Sequence, residues 1–170
     1  MKYGIVAFPS KKTQDLANHY RKRYDTHYAQ VPPHITLLES FEADESHTTT
    51  IVATLDKLAK RFAPLQIQSS RVSSFAPVTN AIYFKVEPTK QLQSFHEALT
   101  EQLQHNPKHV FTPHITIGQD MSDQEHDDVL GQLRMIGVDV QETIDRVHLL
   151  YQLDNGSWTT HETFILTGEE

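Results

Sequence analysis

Two stretches decide how this chain is read: VPPHITLLES, Val31 to Ser40, and FTPHITIGQ, Phe111 to Gln119. Both contain Pro-His-Ile-Thr, and the two copies stand 80 positions apart, with His34 in one and His114 in the other. On a strand, residues two apart project to the same face. His34 and Thr36 therefore share one face while Ile35 and Leu37 take the opposite one. His114 and Thr116 oppose Ile115 and Ile117 in the same way. Pro33 and Pro113 lack the N–H of a strand ladder, so each motif is expected to start at a strand end.

The same order of elements surrounds each copy. In the first half, YGIVAF (Tyr3 to Phe8) is β-rich, and Leu16, Ala17, Tyr20 and Tyr24 recur at helical spacing. HITLLES returns to strand. Ile51, Leu55, Leu58, Ala59 and Phe62 then mark an amphipathic helix ending near Pro64, and LQIQSSRVSSF is a long alternating strand. After a turn at Pro77 and Asn80 the order repeats. AIYFKVE is a strand, and Thr89 caps a helix whose apolar face is Leu92, Phe95, Leu99 and Leu103. HITIGQ is a strand. Ser122 and Glu125 have capping-box spacing for a helix burying Val129, Leu130, Leu133 and Ile136 and stopping at Gly137. RVHLLYQL is turned back by DNGS into WTTHETFIL.

These elements describe an α+β fold: a duplicated β-α-β-α-β unit in one domain over residues 1–170, with pseudo-repeat lobes at approximately 1–76 and 81–170. Tyr3 and Tyr83 are also 80 apart, and Arg71-Val72 and Arg146-Val147 open matching later strands. A pseudo-twofold relation between the lobes brings the two polar faces together across a single cleft.

Composition narrows the partners. With 22 acidic against 15 basic residues, the formal charge is −7. Proteins that track long nucleic acid draw affinity from a basic surface, so a small nucleotide or an RNA end is the expected ligand. The cluster Arg21, Lys22, Arg23 is expected on the solvated side of a helix. There are no cysteines, which removes disulfides and thiolate metal sites and fits a reducing compartment. The apolar run Ile5 to Phe8 is too short for a secretory segment, so no membrane association and a cytoplasmic location are expected. Nothing in the sequence specifies an oligomeric state.

Two imidazoles and two hydroxyls facing each other suit phosphodiester chemistry. In-line displacement at phosphorus needs a base for the attacking oxygen and an acid for the leaving one. Histidine serves as either near neutral pH. Threonine hydroxyls can hold the non-bridging oxygens. No metal and no cofactor enter this scheme. A second reading keeps the cleft as a non-catalytic binding module for a phosphorylated nucleotide or RNA end.

Two H-x-T-x motifs about 80 residues apart in a duplicated α/β unit resemble the 2H phosphoesterase superfamily. That superfamily includes 2′,3′-cyclic nucleotide phosphodiesterases and the proteins called 2′-5′ RNA ligases, and the likeness is strongest to its small bacterial phosphoesterases. The resemblance implies two antiparallel sheets forming a central concave cleft with helices outside. It also implies His34 as proton donor, His114 as proton acceptor, and Thr36 and Thr116 as phosphate-binding residues.

Other candidates carry weaker signals. His105 and His109 have i, i+4 spacing, but Pro107 between them spoils a metal-binding helix face. His126, in SDQEHDD, reads as part of a solvated helix start, and His19, His27, His47, His96, His148 and His161 as surface or core-edge residues. Arg71 and Arg146 are expected in surface ion pairs, with phosphate binding at the cleft margin as the alternative. Tyr3, Phe8, Tyr83 and Phe84 can stack a base if they face the cleft, although strand aromatics more often belong to the core.

Overall fold

The two His-x-Thr strands fall in different sheets. The computed structural model describes residues 1–169. In chain order it contains β1 (Lys2–Ala7), α1 (Lys11–Tyr24), β2 (Ile35–Glu42), a 3-10 turn (Glu45–His47), α2 (Thr48–Arg61), β3 (Leu65–Ser74) and β4 (Ile82–Val86). There follow α3 (Lys90–Gln102), β5 (His114–Gly118), α4 (Asp123–Leu133), β6 (Val140–Ile144), β7 (Arg146–Gln152) and β8 (Trp158–Ile165). The strands form two four-stranded sheets ordered β2-β1-β7-β8 and β5-β4-β3-β6, with antiparallel neighbours throughout.

Position by position the two orders correspond, with a motif strand at one edge of each sheet. Neither sheet coincides with a sequence half. β3, from the first half, pairs with β4, placing Val72 opposite Phe84. β7, from the second, pairs with β1, placing Leu149 opposite Ile5. β6 has no counterpart in the sequence reading. It pairs with β3 from Leu65–Ile144 to Ser69–Val140, and only Asp145 separates it from β7 in the other sheet. Two strands joined by one residue look like a single run in sequence, so the crossover between sheets leaves no local mark.

Helix ends follow cap chemistry. Thr89 Oγ1 accepts the Leu92 N–H at 3.2 Å, and Ser122 Oγ accepts the Glu125 N–H at 3.2 Å. α4 stops at Leu133, short of the expected Ile136–Gly137 end. There the Met135 and Ile136 N–H groups turn back to the Gln132 and Leu133 carbonyls, tightening the chain out of the α-helix.

α1 has no acidic residue in its own first turn. Glu142 on β6 supplies the charge: its carboxylate accepts from Ser10 N at 2.6 Å, Ser10 Oγ at 2.9 Å and Thr13 Oγ1 at 2.6 Å. A carboxylate at a helix N-terminus satisfies free N–H groups and opposes the dipole. Glu142→Ala should therefore lower stability by about 1–2 kcal/mol in urea unfolding, with Glu142→Gln losing less.

Ile35, Leu37, Ile115 and Ile117 are all buried in one core with the apolar faces of the helices. Tyr20 of α1 meets Phe84 edge-on at 6.2 Å, and Phe62 meets Phe95 edge-on at 5.0 Å. Strand alternation then turns the His and Thr side chains to the other face of each sheet, away from the helices. No helix among the described residues is long and apolar enough to cross a membrane.

Candidate active site

From Pro33 to Ser40 and from Pro113 to Asp120 the alternation of buried and accessible residues is the same, residue for residue. The structure brings the four predicted polar side chains together: His34, Thr36, His114 and Thr116 all line one cavity of about 330 Å³. Their neighbours Ile35, Leu37, Ile115 and Ile117 point into the core.

The two imidazoles are held alike. His34 Nδ1 lies 2.9 Å from the Pro32 carbonyl oxygen, and His114 Nδ1 lies 2.7 Å from that of Thr112. A carbonyl only accepts, so Nδ1 carries the proton and donates. Nε2 is then the atom that takes up or releases a proton, and among the described residues no protein group bonds it in either ring. Neither threonine hydroxyl bonds a protein group there either.

Both rings line the cleft half-buried, and their partial removal from water lowers the pKa of each below the ordinary histidine value. For His34 the Pro32 carbonyl opposes this shift, the cations of Arg21 and His114 add to it, and Asp25 opposes it. For His114 the Thr112 carbonyl opposes it.

The aromatic candidates separate. Tyr83 lies opposite Thr116 in the ladder and contacts the His114 ring at 5.1 Å, and Phe75 meets that ring edge-on at 4.9 Å. Tyr3 is core instead, stacked on Phe41 with its hydroxyl bonded to Thr48, and Phe84 is fully buried. Phe8 packs beside Val6, Val31 and Leu150, tilted against His148. The place matching Tyr83 belongs to Val6, opposite Thr36, because the run from β1 to Thr36 is three residues shorter (36 − 6 = 30) than that from β4 to Thr116 (116 − 83 = 33). A second, largely apolar cleft of about 460 Å³ continues from Thr36 and His114. Phe75, Val78, Phe111 and His96 line it, the last two stacked in parallel with ring centres 4.2 Å apart.

Several residues depart from expectation. Arg21, expected in solvent with Lys22 and Arg23, is 2% exposed, while those two neighbours are exposed. Its guanidinium bonds Asp25 at 3.0 Å, Asn18 at 2.7 Å and the Val31 carbonyl at 2.6 Å. Thr13, Ala17 and Arg21 form the buried stripe of α1, an i, i+4, i+8 signal that was present in the sequence. His126, expected to be solvated, is 2% exposed and lies on the same helix face as Val129, Leu130 and Leu133. Its Nε2 lies 2.7 Å from Ser74 Oγ, which accepts the Ala76 N–H, so it anchors the loop carrying Phe75. Arg146 pairs with the adjacent Asp145 at 2.9 Å, and neither it nor Arg71 lines the two clefts.

Sequence reasoning also passed over Glu39, Gln119, Asp25 and Trp158, all lining the central cavity. His105 bonds Glu39 at 2.9 Å. Burial raises the pKa of the Glu39 carboxyl, but bonds from His105 and the Lys108 N–H outweigh it and hold the group below its ordinary value.

The sequence model of the 2′-5′ RNA ligase superfamily matches residues 8–156. A Bacillus pumilus protein named "Putative phosphoesterase" is 53% identical over 171 residues, covering 100% of this chain and 99% of that one. The crystal structure of TT0787 of Thermus thermophilus superposes with a TM-score of 0.76 at 18% identity, covering 100% of both chains. E. coli LigT complexed with 3′-AMP superposes at 0.70 with 14% identity and 98% of each chain covered. At such identities the two solved structures share the fold.

Proposed function

The chain belongs to the 2′-5′ RNA ligase superfamily and is one of its phosphoesterases, and on that premise we propose that it hydrolyses a cyclic phosphate or related phosphodiester on a small nucleotide or RNA end without a metal. The observation that carries this reading is the matched pair of rings, each with Nδ1 tied to a carbonyl and Nε2 open to one cavity that also holds Thr36 and Thr116. E. coli LigT, of the same fold, is described with 3′-AMP, a ligand of the proposed class.

In the proposed reaction a water oxygen attacks phosphorus while His114 Nε2 takes its proton. The bond to the leaving oxygen breaks, and His34 Nε2–H protonates that oxygen. The two hydroxyls donate to the non-bridging oxygens and keep attacking and leaving groups in line. The product is a phosphomonoester, and a second proton transfer through water restores the pair.

The test is product identification after incubation with 2′,3′-cyclic nucleotides and linear 2′-5′ dinucleotides, with and without EDTA. Ring opening or cleavage unaffected by EDTA is expected. Saturable binding with no product from any member of the panel would instead favour the binding-module reading.

The pH dependence follows from the two lowered histidines. Activity needs one imidazole protonated and one neutral, a state most populated between the two macroscopic pKa values of the pair. Both rings favour the neutral form, so kcat/KM should be bell-shaped with its maximum on the acid side of about 6.5, the free imidazole value. The kcat profile should lie at higher pH, because a bound phosphodiester anion favours imidazolium. Stability shares the sign: the folded chain binds fewer protons than the unfolded one, so this contribution is present above about 6.5 and is lost as pH falls through the folded values.

A further inference from the structure

We propose that Glu39 and Gln119 are reciprocal positioning residues, each clamping the loop that delivers the other strand's histidine. They occupy matching places, five positions after His34 and His114 respectively. Gln119 Nε2 donates to Asp25 Oδ1 at 2.8 Å, and Asp25 stands nine positions before His34. Glu39 Oε1 accepts from His105 Nε2 and from the Lys108 N–H, both at 2.9 Å, and His105 stands nine positions before His114. Both ends of both contacts thus obey the 80-residue repeat. The chemistry is inverted between the copies, an amide donating to a carboxylate in one and a carboxylate receiving an imidazole in the other. What repeats is the placement of the contact, which is crossed: the end of each motif strand holds the approach to the other motif.

Each clamp leads to a ring. Asp25 Oδ2 accepts from Arg21 Nε, and the same guanidinium holds the Val31 carbonyl. The next residue, Pro32, supplies the carbonyl that orients His34. Arg21 and Asp25 side chains are both 2% exposed, so a shift at Gln119 has little slack to dissipate in. At the other clamp, Glu39 holds the loop from His105 to Lys108, four residues ahead of Thr112, whose carbonyl orients His114. The β5 end lies close against α1: a Cβ on Gly118 would come within 3.1 Å of Tyr24 Cβ, and the Gln119 N–H donates to the Tyr24 carbonyl. The separation of two imidazoles carried on different sheets is thereby tied at both ends.

The experiment reads the His34 and His114 imidazole resonances of the full chain, together with kcat and KM, for Gln119→Leu, Glu39→Leu and Glu39→Gln. Gln119→Leu should move the His34 signals more than those of His114, although Gln119 directly follows the strand that carries His114. Glu39→Leu should do the reverse, and Glu39→Gln, which keeps an acceptor oxygen, should recover the wild-type spectrum. The kinetic arm rests on the phosphoesterase reading: each leucine variant should lose roughly tenfold in kcat with KM within about twofold. If Glu39→Leu does not fold, His105→Leu opens the same clamp from the loop, and the shift is again expected at His114. Shifts confined to the histidine on the substituted strand overturn the proposal, as does loss of activity through KM alone. If no substrate is turned over, the functional reading fails while the crossed shifts still decide this one.

Discussion

Replacing His34 or His114 by alanine should lower kcat by about 100- to 10,000-fold while leaving the chain folded. Each ring is half-buried and its one protein bond is to a local carbonyl, so truncation should cost only about 1 kcal/mol of stability, well within what a domain tolerates. KM should change little, since the threonines and the cleft walls remain. Because the two groups act on one proton-transfer sequence, the double variant should be only slightly slower than the slower single one. The pH profiles of the residual activities assign the roles. With His34 as donor, His34→Ala retains only the base and its rate rises with pH, whereas His114→Ala retains only the acid and its rate falls. Inverted limbs would exchange the roles without touching the pairing. Either single variant within tenfold of wild type would sink paired acid–base catalysis.

The twin motif was legible because strand alternation is a local rule. Reading His34 and Thr36 as one face and Ile35 and Leu37 as the other needs only the period of two, and the duplication extends it to His114 and Thr116. The α+β order of elements was legible for the same reason, since most of them announce themselves by period and cap, whereas their pairing into two antiparallel sheets was implied by the family resemblance alone. What escaped was non-local. The Tyr3–Tyr83 correspondence fails because Val6 stands opposite Thr36, 30 residues before it (36 − 6), while Tyr83 stands 33 before Thr116 (116 − 83), and strand pairing rather than equal spacing sets which residues match. β6 escaped because Asp145 alone divides it from β7. Arg21 and His126 escaped because such residues mostly face solvent, although both stand on the buried stripe of their helix. A buried arginine is tolerated only when its donors are paired, and Asp25, Asn18 and Val31 meet that condition through the fold. Glu39 and Gln119 stand in matching positions in the sequence, but their partners His105 and Asp25 are 66 and 94 residues away and meet them only through the fold.

Thr36→Val and Thr116→Val should each lower kcat by about 100-fold, the usual effect of deleting one donor to developing charge. Valine keeps the volume and the β-branch that suit a strand, so the change removes a hydroxyl and little else. Thr→Ser, which keeps the donor, should recover most of the rate. Unlike the histidines, the two hydroxyls share no proton-transfer sequence, and from β2 and β5 they are proposed to meet different non-bridging oxygens. Their losses should therefore multiply in the double variant, to within a factor of a few. The division between kcat and KM tests the mechanism. A donor that tightens only as phosphorus becomes five-coordinate lowers kcat, whereas one that holds the phosphate equally throughout raises KM alone. Wild-type kcat with a raised KM in both valine variants would make the threonines a phosphate cradle, leaving in-line geometry to the two imidazoles and the loops that hold them.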